Sequence, residues 1–539
     1  MKYRYIVLGL IVLLGIFLRF YQLGTIPSSL NWDEVSWGYN AYSIAQTGRD
    51  EHGYFLPSSF RAFGDYKQPV YLYLDVLPIL LWGLTGFAVR FPSALIGSIT
   101  SIAVFFLVRE LFFAEKRKDI LSLTAAFLFA ISPWSIQFSR IAFEANVGIG
   151  FTIAGVALYL YGLNRQKLWI MVMGTVVMSI SCYTYLSHKL ITPLLFAGLL
   201  VFSSSYLKKS KRILVVLCLV FTLANLFWII DSRTTARGRS VLFTSAQTQI
   251  LKDSAQELIA DNDSHDTLGK VLHNRRLVYA NTFLKNYIAH FSPNWLFILG
   301  DNPRHHPPGM GNLYLISLPF ILMGMVLLFK NYRMQALFIF YWLLLAPIAS
   351  ALTVDSPNTT RSMVFLPIWE IFAALSIVSM YIFLRQYALH IAFVCVIGFL
   401  YFANFMYYST WYFGHTDTEY AAYWQYGYKQ AVLYSSEYQK THNSNTIFAS
   451  SFEQPYIFYL FYTKYDPQKY IDTGGSTRLM QTCFTIDHTY FGKCTNVLKN
   501  NDIFVSFEEM KDKNFSKMKE IIYPDKKPAV YIYKYYHVL

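Results

Sequence analysis

Charged residues are scarce in this sequence. Only 14% of its 539 residues are Asp, Glu, Lys or Arg, whereas 54% are hydrophobic, and soluble domains carry about 25% charged residues. This deficit excludes a chain of ordinary soluble domains and indicates that lipid surrounds much of the protein. With 28 glycines and 19 prolines, the sequence also lacks the composition of collagen-like and low-complexity chains.

The cysteines of a disulfide scaffold are also missing, since the sequence has only five. Cys182, Cys218 and Cys395 lie in apolar runs, where a free cysteine behaves as a small hydrophobic residue. Cys483 and Cys494 lie in the polar C-terminal part, and their spacing permits a bridge if that part faces an oxidising compartment. The sequence leaves the bridged and the free form open.

Signals of nucleotide and nucleic-acid binding are absent as well. The formal net charge is +14, but no basic run alternates with aromatics in the manner of nucleic-acid-binding proteins. Gly474 and Gly475 form a pair without the other residues of a nucleotide-binding loop. Most of the excess positive charge lies in short loops between apolar segments. We therefore interpret the charge as a signal of membrane topology and expect no nucleic-acid partner.

Eleven apolar segments are long enough to cross about 30 Å of hydrocarbon. They cover residues 5–22, 88–109, 120–138, 146–163, 168–186, 189–206, 213–230, 312–329, 334–352, 362–383 and 388–408. Basic residues follow every second segment, near 116–118, 165–167, 208–212, 330–333 and 385. The positive-inside rule therefore places these loops and the N-terminus in the cytoplasm of an integral plasma-membrane protein.

Residues 68–86 form a further apolar stretch. If this stretch crossed the membrane, the basic loops would face outward, so we predict a helix in the outer leaflet instead. The extracytoplasmic face then receives the long outer loops 23–87 and 231–311 and everything after about residue 409. We expect a polytopic α-helical membrane domain over residues 1–409, with about eleven transmembrane helices.

The C-terminal part alternates between helix-like and strand-like patterns. Helices are predicted over 418–439 and 454–465, and strands over 445–450, 502–507 and 529–538. Its basic and acidic residues nearly balance, as in a soluble domain. We therefore predict that residues 410–539 form an extracytoplasmic α/β accessory domain.

Asp33 and Glu34 are the first candidates for chemistry. They follow the Pro27–Ser29 turn and precede an amphipathic segment, so they lie where the N-terminus of a helix favours anions. A carboxylate at the membrane surface could accept a proton from a substrate. The alternative is an ordinary helix cap with an acidic first turn, and the residues alone leave both open.

Two further groups lie in the outer pieces of the first half. Lys67, close to Asp65 and to several aromatics, could bind a lipid phosphate as a point charge or extend its ammonium to the interface. Arg140 and Glu144 are four residues apart, which permits an ion pair on a helix surface. Alternatively, Glu144 faces the same outer cavity as Asp33.

The end of the long loop collects Asp301, Arg304, His305 and His306. A metal site would need a third ligand that the spacing does not fix, so the pattern favours a loop that binds a phosphate or an acceptor.

A short outer loop carries Asp355 and Arg361. At the start of a predicted span, Arg361 could clamp a phosphate with two hydrogen bonds or anchor the span at the interface.

In their order and common outer face, these residues resemble the GT-C class of membrane glycosyltransferases. The similarity is to the protein O-mannosyltransferase superfamily and the lipid A aminoarabinose transferases. It covers roughly residues 1–410 and lies in Trp32–Glu34, Lys67–Pro69, Arg90–Ala94 and the turn from Arg140 to Glu144. The resemblance implies a glycosyltransferase that moves a sugar from a polyprenyl-phosphate donor to an acceptor hydroxyl on a glycan, lipid or protein. The resemblance further implies that the transfer takes place at the extracytoplasmic face, with inversion.

The resemblance also implies roles for individual residues. Asp33 with Glu34 would be catalytic, and Asp33 would be the general base. The polyprenyl phosphate would bind to Lys67, Arg361 and Arg304. The donor or acceptor cavity would include Asp65, Arg140, Glu144, His305, His306 and Asp355. Tyr66 and Gln68 flank the lysine differently from the family pattern, and Glu144 replaces the usual aspartate. A divalent metal cofactor therefore stays open, and no metal ligand is assigned.

Two other classes of function fit the same membrane topology. A flippase or transporter of lipid-linked glycans would need ionisable residues inside the membrane and often an internal repeat. Glu370 is the one acidic residue well inside a predicted span, and the sequence shows no convincing repeat. A non-catalytic scaffold that presents the C-terminal domain is the third hypothesis.

Overall fold

All eleven apolar segments predicted from the sequence are helical in the computed structural model. The structure describes residues 2–208, 211–230, 242, 249–480 and 482–536. The helices of these segments are Lys2–Phe20, Gly86–Leu111, Lys118–Ile131 with Pro133–Ser139, Glu144–Asn164, Leu168–Ile180, His188–Phe202, Lys211–Ile230, Ser317–Asn331, Arg333–Leu345, Ile368–Arg385 and His390–Thr410. Lys209, much of the predicted loop 231–311 (231–241 and 243–248) and the end of the predicted strand 529–538 lie outside the described residues.

Length and apolarity decide which of these helices can cross a membrane. Within the described ranges, seven helices are long and apolar enough, or eight if the pair Lys118–Ile131 and Pro133–Ser139, bent by 55°, is one span. Three others, Leu168–Tyr183, His188–Phe202 and Ser317–Asn331, are apolar but shorter. The chain is therefore a polytopic α-helical integral membrane protein, as the sequence predicts.

The additional apolar stretch forms the helix Pro69–Trp82. Proline is at its first position, where the missing N–H costs nothing, and Gly83 follows it with a φ of 68°. The helix has 14 residues and is therefore about 21 Å long, shorter than the roughly 30 Å of the hydrocarbon core. The helix Leu168–Ile180, which belongs to a predicted span, is one residue shorter, so the position of the stretch in the outer leaflet stays a prediction.

The Cα positions divide the chain into two compact units. The first unit contains Met1–Arg19, Leu95–Ser139 and Glu144–Tyr408, and the second contains Phe20–Ala94, Arg140–Phe143 and Ser409–Leu539. Beside its apolar helices, the first unit has the helices Ser204–Leu207, Gln249–Asp263, Thr267–Leu272, Arg275–Ala289 and Ile348–Ala351.

Small residues bring two helices of the first unit close together. A Cβ atom on Gly174 would lie 2.5 Å from the backbone nitrogen of Tyr159, and one on Gly155 would lie 2.5 Å from that of Met178. The helices Glu144–Asn164 and Leu168–Ile180 therefore pack backbone to backbone. Such close contact is the main source of helix association in lipid, where the hydrophobic effect is missing.

The second unit begins with the helix Trp32–Thr47 and a short hairpin. In the hairpin, β1 (Phe60–Ala62) pairs antiparallel with β2 (Asp65–Lys67). After the helix Pro69–Trp82, the unit continues in the C-terminal part with the helices Thr416–Glu419, Tyr428–Thr441, Pro455–Tyr462 and Pro467–Asp472.

A six-stranded mixed sheet forms the centre of the C-terminal part. Its strands are β3 (Thr446–Phe448), β4 (Cys483–Ile486), β5 (Thr489–Gly492), β6 (Ile503–Ser506), β7 (Phe515–Ile522) and β8 (Pro528–Tyr535). The order is β4-β5-β3-β6-β8-β7, and β3 runs parallel to both β5 and β6. The predicted α/β pattern is confirmed in β3, β6 and β8 and in the helix Pro455–Tyr462.

The sequence misses three strands and extends one helix too far. Strand β7 is largely exposed at the edge of the sheet, and β4 and β5 are short, so neither shows a clear apolar pattern. The helix predicted over 418–439 begins only at Tyr428, because Gln425 and Gly427 have φ angles of 50° and 101°, which a helix cannot accommodate.

Cys483 and Cys494 form a disulfide, which settles the alternative left open by the sequence. The bridge joins β4 to the segment after β5, across a sequence separation of 11 residues. Cys182, Cys218 and Cys395 are free.

We expect that replacing Cys483 and Cys494 together with serine lowers the free energy of unfolding of the C-terminal sheet by about 2–3 kcal/mol. The reason is that the open chain gains conformational entropy when unfolded. Limited proteolysis of the full-length protein, with and without reductant, measures the effect. Cys218→Ser, which changes a free exposed cysteine, is the control, and equal proteolysis of both variants would contradict the prediction.

Candidate functional site

Asn31 caps the helix that carries the two candidate carboxylates. Its side chain accepts hydrogen bonds from the backbone nitrogens of Asp33 (2.8 Å) and Glu34 (3.1 Å). The Glu34 carboxylate in turn accepts from the Asn31 backbone nitrogen at 3.1 Å. This reciprocal capping box fixes the start of the helix Trp32–Thr47. The structure thus supports an N-cap in addition to any chemistry at this position.

Asp33 pairs with Lys67. The Lys67 Nζ lies 2.5 Å from Asp33 Oδ1, and the Trp32 indole donates to Asp33 Oδ2 at 3.1 Å. The Lys67 side chain is almost buried, with its ammonium 4.9 Å from the Trp37 ring and 5.3 Å from the Phe63 ring. The Asp33 side chain keeps 32% of its surface exposed. The pair therefore offers a reachable carboxylate next to a fixed cation.

The β1–β2 hairpin positions Lys67. Phe60 is the partner of Lys67 in the register, and Ala62 is the partner of Asp65. Phe60 is fully buried and its ring lies 4.7 Å from that of Trp37, so the hairpin is anchored against the helix Trp32–Thr47. Asp65 is at the start of β2, and its carboxylate accepts from the Tyr66 backbone nitrogen at 2.7 Å.

Glu34 differs from Asp33 in its surroundings. Its carboxylate is fully buried and bonds to the Arg90 guanidinium twice, at 2.8 and 3.1 Å. It also accepts from the backbone nitrogen of Ala142 at 3.1 Å. Together with the hydrogen bond from the Asn31 backbone, these contacts engage both carboxylate oxygens of Glu34 and hold the start of the helix in place.

Arg90 organises the loop in front of the helix. Its guanidinium donates to the carbonyl oxygens of Leu23 (3.2 Å), Pro27 (2.9 Å) and Ser29 (2.8 Å). The side chain is fully buried and faces the Trp424 ring at 5.9 Å. Arg90 therefore contacts the chain both before and after Asn31, and these contacts hold the segment that precedes Asp33 in place.

Arg140 is another buried arginine of the second unit, and like Arg90 it faces aromatic rings. It lies in the turn after the helix Pro133–Ser139, so it does not share a helix with Glu144, which begins the next one. Its Nε donates to the Tyr412 hydroxyl at 3.0 Å, and its guanidinium faces the Tyr412 and Phe413 rings at 5.1 and 5.0 Å. A weaker contact of 3.4 Å reaches the carbonyl oxygen of Ile26.

The C-terminal part contributes directly to the segment around Asp33. The hydrogen bonds run from Ser28 N to Asp417 Oδ1 (2.7 Å), from Trp32 N to Gln425 Oε1 (3.1 Å) and from Tyr39 OH to Tyr465 O (3.2 Å). Sequence reasoning missed these partners, because no local pattern indicates contacts between positions 389 to 426 residues apart.

Glu51 is a further carboxylate that the sequence did not single out. It is buried and accepts from Ser476 Oγ at 2.6 Å and from Asn40 Nδ2 at 3.0 Å. Burial raises the pKa of Glu51, although these hydrogen bonds and the charge of Lys67 act in the opposite direction. Lys67 therefore interacts electrostatically with Glu51 in addition to its contact with Asp33.

In the first unit, Asp301 and His305 form a bonded cluster. Asp301 accepts from the Thr359 backbone nitrogen and hydroxyl, both at 2.7 Å, and its Oδ1 lies 3.0 Å from His305 Nδ1. The other ring nitrogen of His305 lies 2.9 Å from the Thr360 hydroxyl. Burial alone would raise the pKa of Asp301, but His305 and the Thr359 hydrogen bonds lower it to about 2.

Arg304, Asp355 and Arg361 are further candidates of the first unit, and they lie in loops. Arg361 Nη1 donates to Thr353 Oγ1 at 2.7 Å and to the Asp355 carbonyl oxygen at 3.1 Å. The exposed Asp355 carboxylate is 3.9 Å from the guanidinium. Arg304 is half-buried, and its carbonyl oxygen accepts from Gln137 Nε2 at 3.1 Å.

His306 is buried, and its Nδ1 lies 2.9 Å from the Pro307 carbonyl oxygen. Burial lowers the pKa of His306, which favours the neutral ring. Glu144 is half-buried at the first position of its helix.

Comparisons with known proteins agree with this architecture. The sequence matches the family model of dolichyl-phosphate-mannose-protein mannosyltransferase over residues 66–228. The structure of ArnT from Cupriavidus metallidurans bound to undecaprenyl phosphate matches with a TM-score of 0.56 at 12% identity, over 97% of both chains. No curated protein matches the sequence.

Oligosaccharyltransferase AglB from Archaeoglobus fulgidus also matches. Its structure with an inhibitory peptide and a dolichol-phosphate has a TM-score of 0.51 at 12% identity, over 85% of this chain and 63% of AglB. A structure tethered to an acceptor peptide gives 0.53 at the same identity. This chain thus spans less than two thirds of AglB, whereas it spans nearly all of ArnT.

The protein has the GT-C fold. This class includes both ArnT and AglB, and the resemblance stated from Trp32–Glu34, Lys67–Pro69 and the later turns is therefore confirmed at the level of the fold.

One AglB structure with the same GT-C fold contains Zn and sulfate, so we tested whether this chain offers a metal site. In the part that the structure describes, no three His, Cys, Asp or Glu side chains come together around one point. Asp33 is paired with an ammonium group, and both ring nitrogens of His305 are already bonded. These donors do not fit a divalent cation, which needs several free oxygen or nitrogen ligands. We derive no step through a metal.

The bonded cluster around Asp301 makes a prediction about stability. Asp301→Asn is expected to lower the free energy of unfolding by about 2 kcal/mol at pH 7, because the ionised carboxylate forms the stronger hydrogen bonds. A carboxylate whose pKa falls from 3.8 to about 2 on folding contributes stability that is present above pH 4. That contribution is lost as the pH falls through 2.

Thermal unfolding of the detergent-solubilised protein at pH 7 and pH 3 measures this difference. The gap between the wild type and Asp301→Asn should narrow at the lower pH. The exposed Asp355 carboxylate, 79% exposed, is the control, and an equal loss in Asp355→Asn would contradict the prediction.

Proposed function

We propose that this protein transfers a sugar from a polyprenyl-phosphate donor to an acceptor hydroxyl at the extracytoplasmic face of the membrane, with inversion. The observation that carries the proposal is the pair of Asp33 and Lys67, a half-exposed carboxylate next to a fixed ammonium at the start of a helix. The undecaprenyl phosphate bound to ArnT and the dolichol-phosphate bound to AglB support the class of donor.

Asp33 would act as the general base. The acceptor oxygen attacks the anomeric carbon, the bond from that carbon to the phosphate oxygen breaks, and the hydroxyl proton passes to the Asp33 carboxylate. The other product is polyprenyl phosphate. Because a single displacement brings the acceptor in opposite the leaving group, the configuration at the anomeric carbon inverts. The helix N-terminus and the Trp32 indole hold the carboxylate in place.

Lys67 would bind the phosphate of the donor and stabilise the charge that grows on it as it leaves. Without donor, Lys67 forms an ion pair with Asp33 across 2.5 Å. A donor phosphate that attracts the ammonium weakens this pair and leaves the Asp33 carboxylate able to bind the acceptor hydroxyl. The site would thereby couple donor binding to activation of the base.

Glu34 and Arg90 act as positioning residues in this proposal. Both side chains are fully buried and bonded to each other, so they fix the N-terminus of the helix without touching the substrate. Arg361 and Arg304 are proposed to contribute to phosphate binding. Proposed residues of the donor or acceptor cavity are Asp65, Arg140, Glu144, His305, His306 and Asp355.

The proposed orientation has the N-terminus in the cytoplasm and the accessory domain of residues 410–539 outside, after a catalytic domain of residues 1–409. Support comes from the basic loops after every second helix. The Cys483–Cys494 disulfide adds support, because disulfides persist in oxidising extracytoplasmic compartments.

Membranes that contain the wild-type protein, incubated with a panel of radiolabelled polyprenyl-phosphate sugars, test the function. We expect one donor to label a lipid, glycan or protein fraction, and membranes without the protein to show no such label. Label that crosses the bilayer without covalent transfer would instead indicate a flippase. Absence of transfer from every donor would refute the proposal.

Lys67→Gln is expected to weaken binding of undecaprenyl phosphate about 10- to 100-fold, because the phosphate loses one charge-assisted hydrogen bond. Lys67→Arg, which keeps the charge, should retain part of the affinity. Microscale thermophoresis of the purified full-length variants measures the dissociation constants. Lys527→Gln, at an exposed lysine in the turn before β8, is the control. Unchanged affinity in Lys67→Gln would remove Lys67 from the donor site.

A further inference from the structure

An apolar groove lies among four helices of the first unit. It has a volume of about 680 Å³ and is lined by side chains from the helices Lys2–Phe20, Lys118–Ile131, Ile368–Arg385 and His390–Thr410. Ligand pockets for small molecules occupy about 300–1,000 Å³ and are mostly apolar. Its walls include the exposed side chains of Phe127, Val394 and Phe402. The groove is thus large enough for part of a lipid molecule.

The length of the groove matches one leaflet of a bilayer. On the helix Lys118–Ile131, its lining runs from Ile120 to Ile131, which is about 16 Å at 1.5 Å per residue. Half of a hydrocarbon core of about 30 Å is about 15 Å. This depth suits an acyl chain of one leaflet better than the much longer polyprenyl chain.

One end of the groove is basic. A second cavity of about 310 Å³ shares Ile120, Val378 and Tyr381 with the groove and is also lined by Arg117 and Arg385. The apolar channel therefore opens into a mouth with two guanidinium groups. This mouth belongs to the loops whose basic residues the positive-inside rule assigns to the cytoplasm.

The acidic residues of these loops are already bound to other groups. Asp119 pairs with Arg4 at 2.7 Å and with Arg109 at 2.9 Å. Glu110 pairs with Arg109 at 3.1 Å and with Arg165 at 2.8 Å.

Glu115 accepts from the Tyr332 hydroxyl at 2.9 Å. By contrast, Arg117 and Arg385 are exposed, and within the described residues neither guanidinium has an acidic partner. The two positive charges at the mouth are therefore available to an anion.

We propose that the groove binds an anionic phospholipid, with one acyl chain along the helix Lys118–Ile131 and the phosphate head group between Arg117 and Arg385. The charge of the mouth selects an anionic head group, since guanidinium groups match phosphate geometry. The apolar walls and the depth of one leaflet select the acyl chain. This site differs from the proposed donor site in its residues, so it does not depend on the proposed transfer reaction.

Native mass spectrometry of the full-length protein in detergent tests the proposal. The protein is titrated with phosphatidylglycerol and with phosphatidylcholine that carry the same acyl chains. We expect the wild type to retain phosphatidylglycerol about tenfold more tightly, and Arg117→Gln combined with Arg385→Gln to abolish this preference. The control combines Lys116→Gln and Lys167→Gln, which removes two exposed basic residues that do not line the groove. This variant should keep the preference for phosphatidylglycerol.

A second pair of variants tests the apolar part of the site. Gly398 lines the groove, and a Cβ atom there meets nothing within 4 Å, so Gly398→Leu fills the groove without a clash. It should weaken retention of both lipids. Gly9→Leu, at another glycine with nothing within 4 Å and outside the groove lining, is the matched control and should bind like the wild type.

Four outcomes would overturn the proposal. The first is equal retention of both lipids by the wild type, and the second is a preference that survives the double arginine variant. The third is undecaprenyl phosphate displacing phosphatidylglycerol at lower concentrations, which would make the carrier lipid the occupant. The fourth is a dimer that Gly398→Leu dissociates, which would make the groove an interface between two copies.

Discussion

Asp33→Asn is expected to reduce sugar transfer by about 10²- to 10⁴-fold, which is the usual contribution of a general base. Asparagine has the shape of aspartate and can still accept a hydrogen bond from the Trp32 indole. It cannot take up the proton of the acceptor hydroxyl. The fold and the donor site should therefore persist while turnover is lost. The rate of transfer is measured with the radiolabelled donor that the panel of polyprenyl-phosphate sugars identifies. At saturating concentrations of donor and acceptor, this rate gives kcat.

Two readouts separate this effect from misfolding. Asp33→Asn should lower the thermal unfolding temperature less than Arg90→Ala does, because Asp33 is partly exposed and Lys67 also interacts with Glu51. Undecaprenyl phosphate should bind at least as tightly as it does to the wild type. The reason is that the phosphate no longer competes with a full negative charge for Lys67 across 2.5 Å. Asp525→Asn changes a carboxylate in the turn before β8 that pairs with the exposed Lys527, and it should leave kcat unchanged. Wild-type turnover in Asp33→Asn would refute the assignment of the base.

Arg90→Ala is expected to destabilise the protein by about 3–5 kcal/mol, because it leaves the Glu34 carboxylate buried without its countercharge. Both side chains of this pair are fully buried. The loop carbonyls of Leu23, Pro27 and Ser29 lose their donor at the same time. Thermal unfolding of the full-length protein in detergent measures the loss.

A double-mutant cycle distinguishes the ion pair from the other contacts of Arg90. Arg90→Met combined with Glu34→Met should cost less than the sum of the single changes, because no unpaired buried charge remains. Lys440→Gln breaks the pair with Glu437, in which both side chains are 71% exposed, and should change stability by less than about 1 kcal/mol. Equal effects of Arg90→Ala and Lys440→Gln would contradict the buried-pair argument.

The membrane helices could be predicted from the sequence because lipid imposes a simple constraint. A helix that crosses hydrocarbon must be long and continuously apolar, so the spans are visible without any knowledge of their partners. The basic loops, and not length or apolarity, set the helix Pro69–Trp82 apart from the predicted spans. The lipid constraint does not extend to the C-terminal part, where short or exposed strands such as β4 and β7 carry no comparable signal.

The candidate site was predictable only in part. The order of Asn31 and Glu34 has the spacing of a capping box, and the position of Asp33 at a helix start follows from it. The contact of Asp33 with Lys67 depends on the register of the β1–β2 hairpin, which three-residue strands do not reveal. The burial of Glu34 depends on Arg90, 56 positions away, and sequence patterns do not show that contact.

The contacts between the segment around Asp33 and the C-terminal part have a consequence for biosynthesis. Ser28 and Asp417 are separated by 389 positions, and a ribosome adds about 5–20 residues per second. The helix Trp32–Thr47 is therefore made roughly 20–80 s before its partners Asp417, Gln425 and Tyr465 exist. During that interval its polar groups stay exposed to water or to chaperones, so a chain released early would lack the C-terminal hydrogen-bond partners of the segment around Asp33.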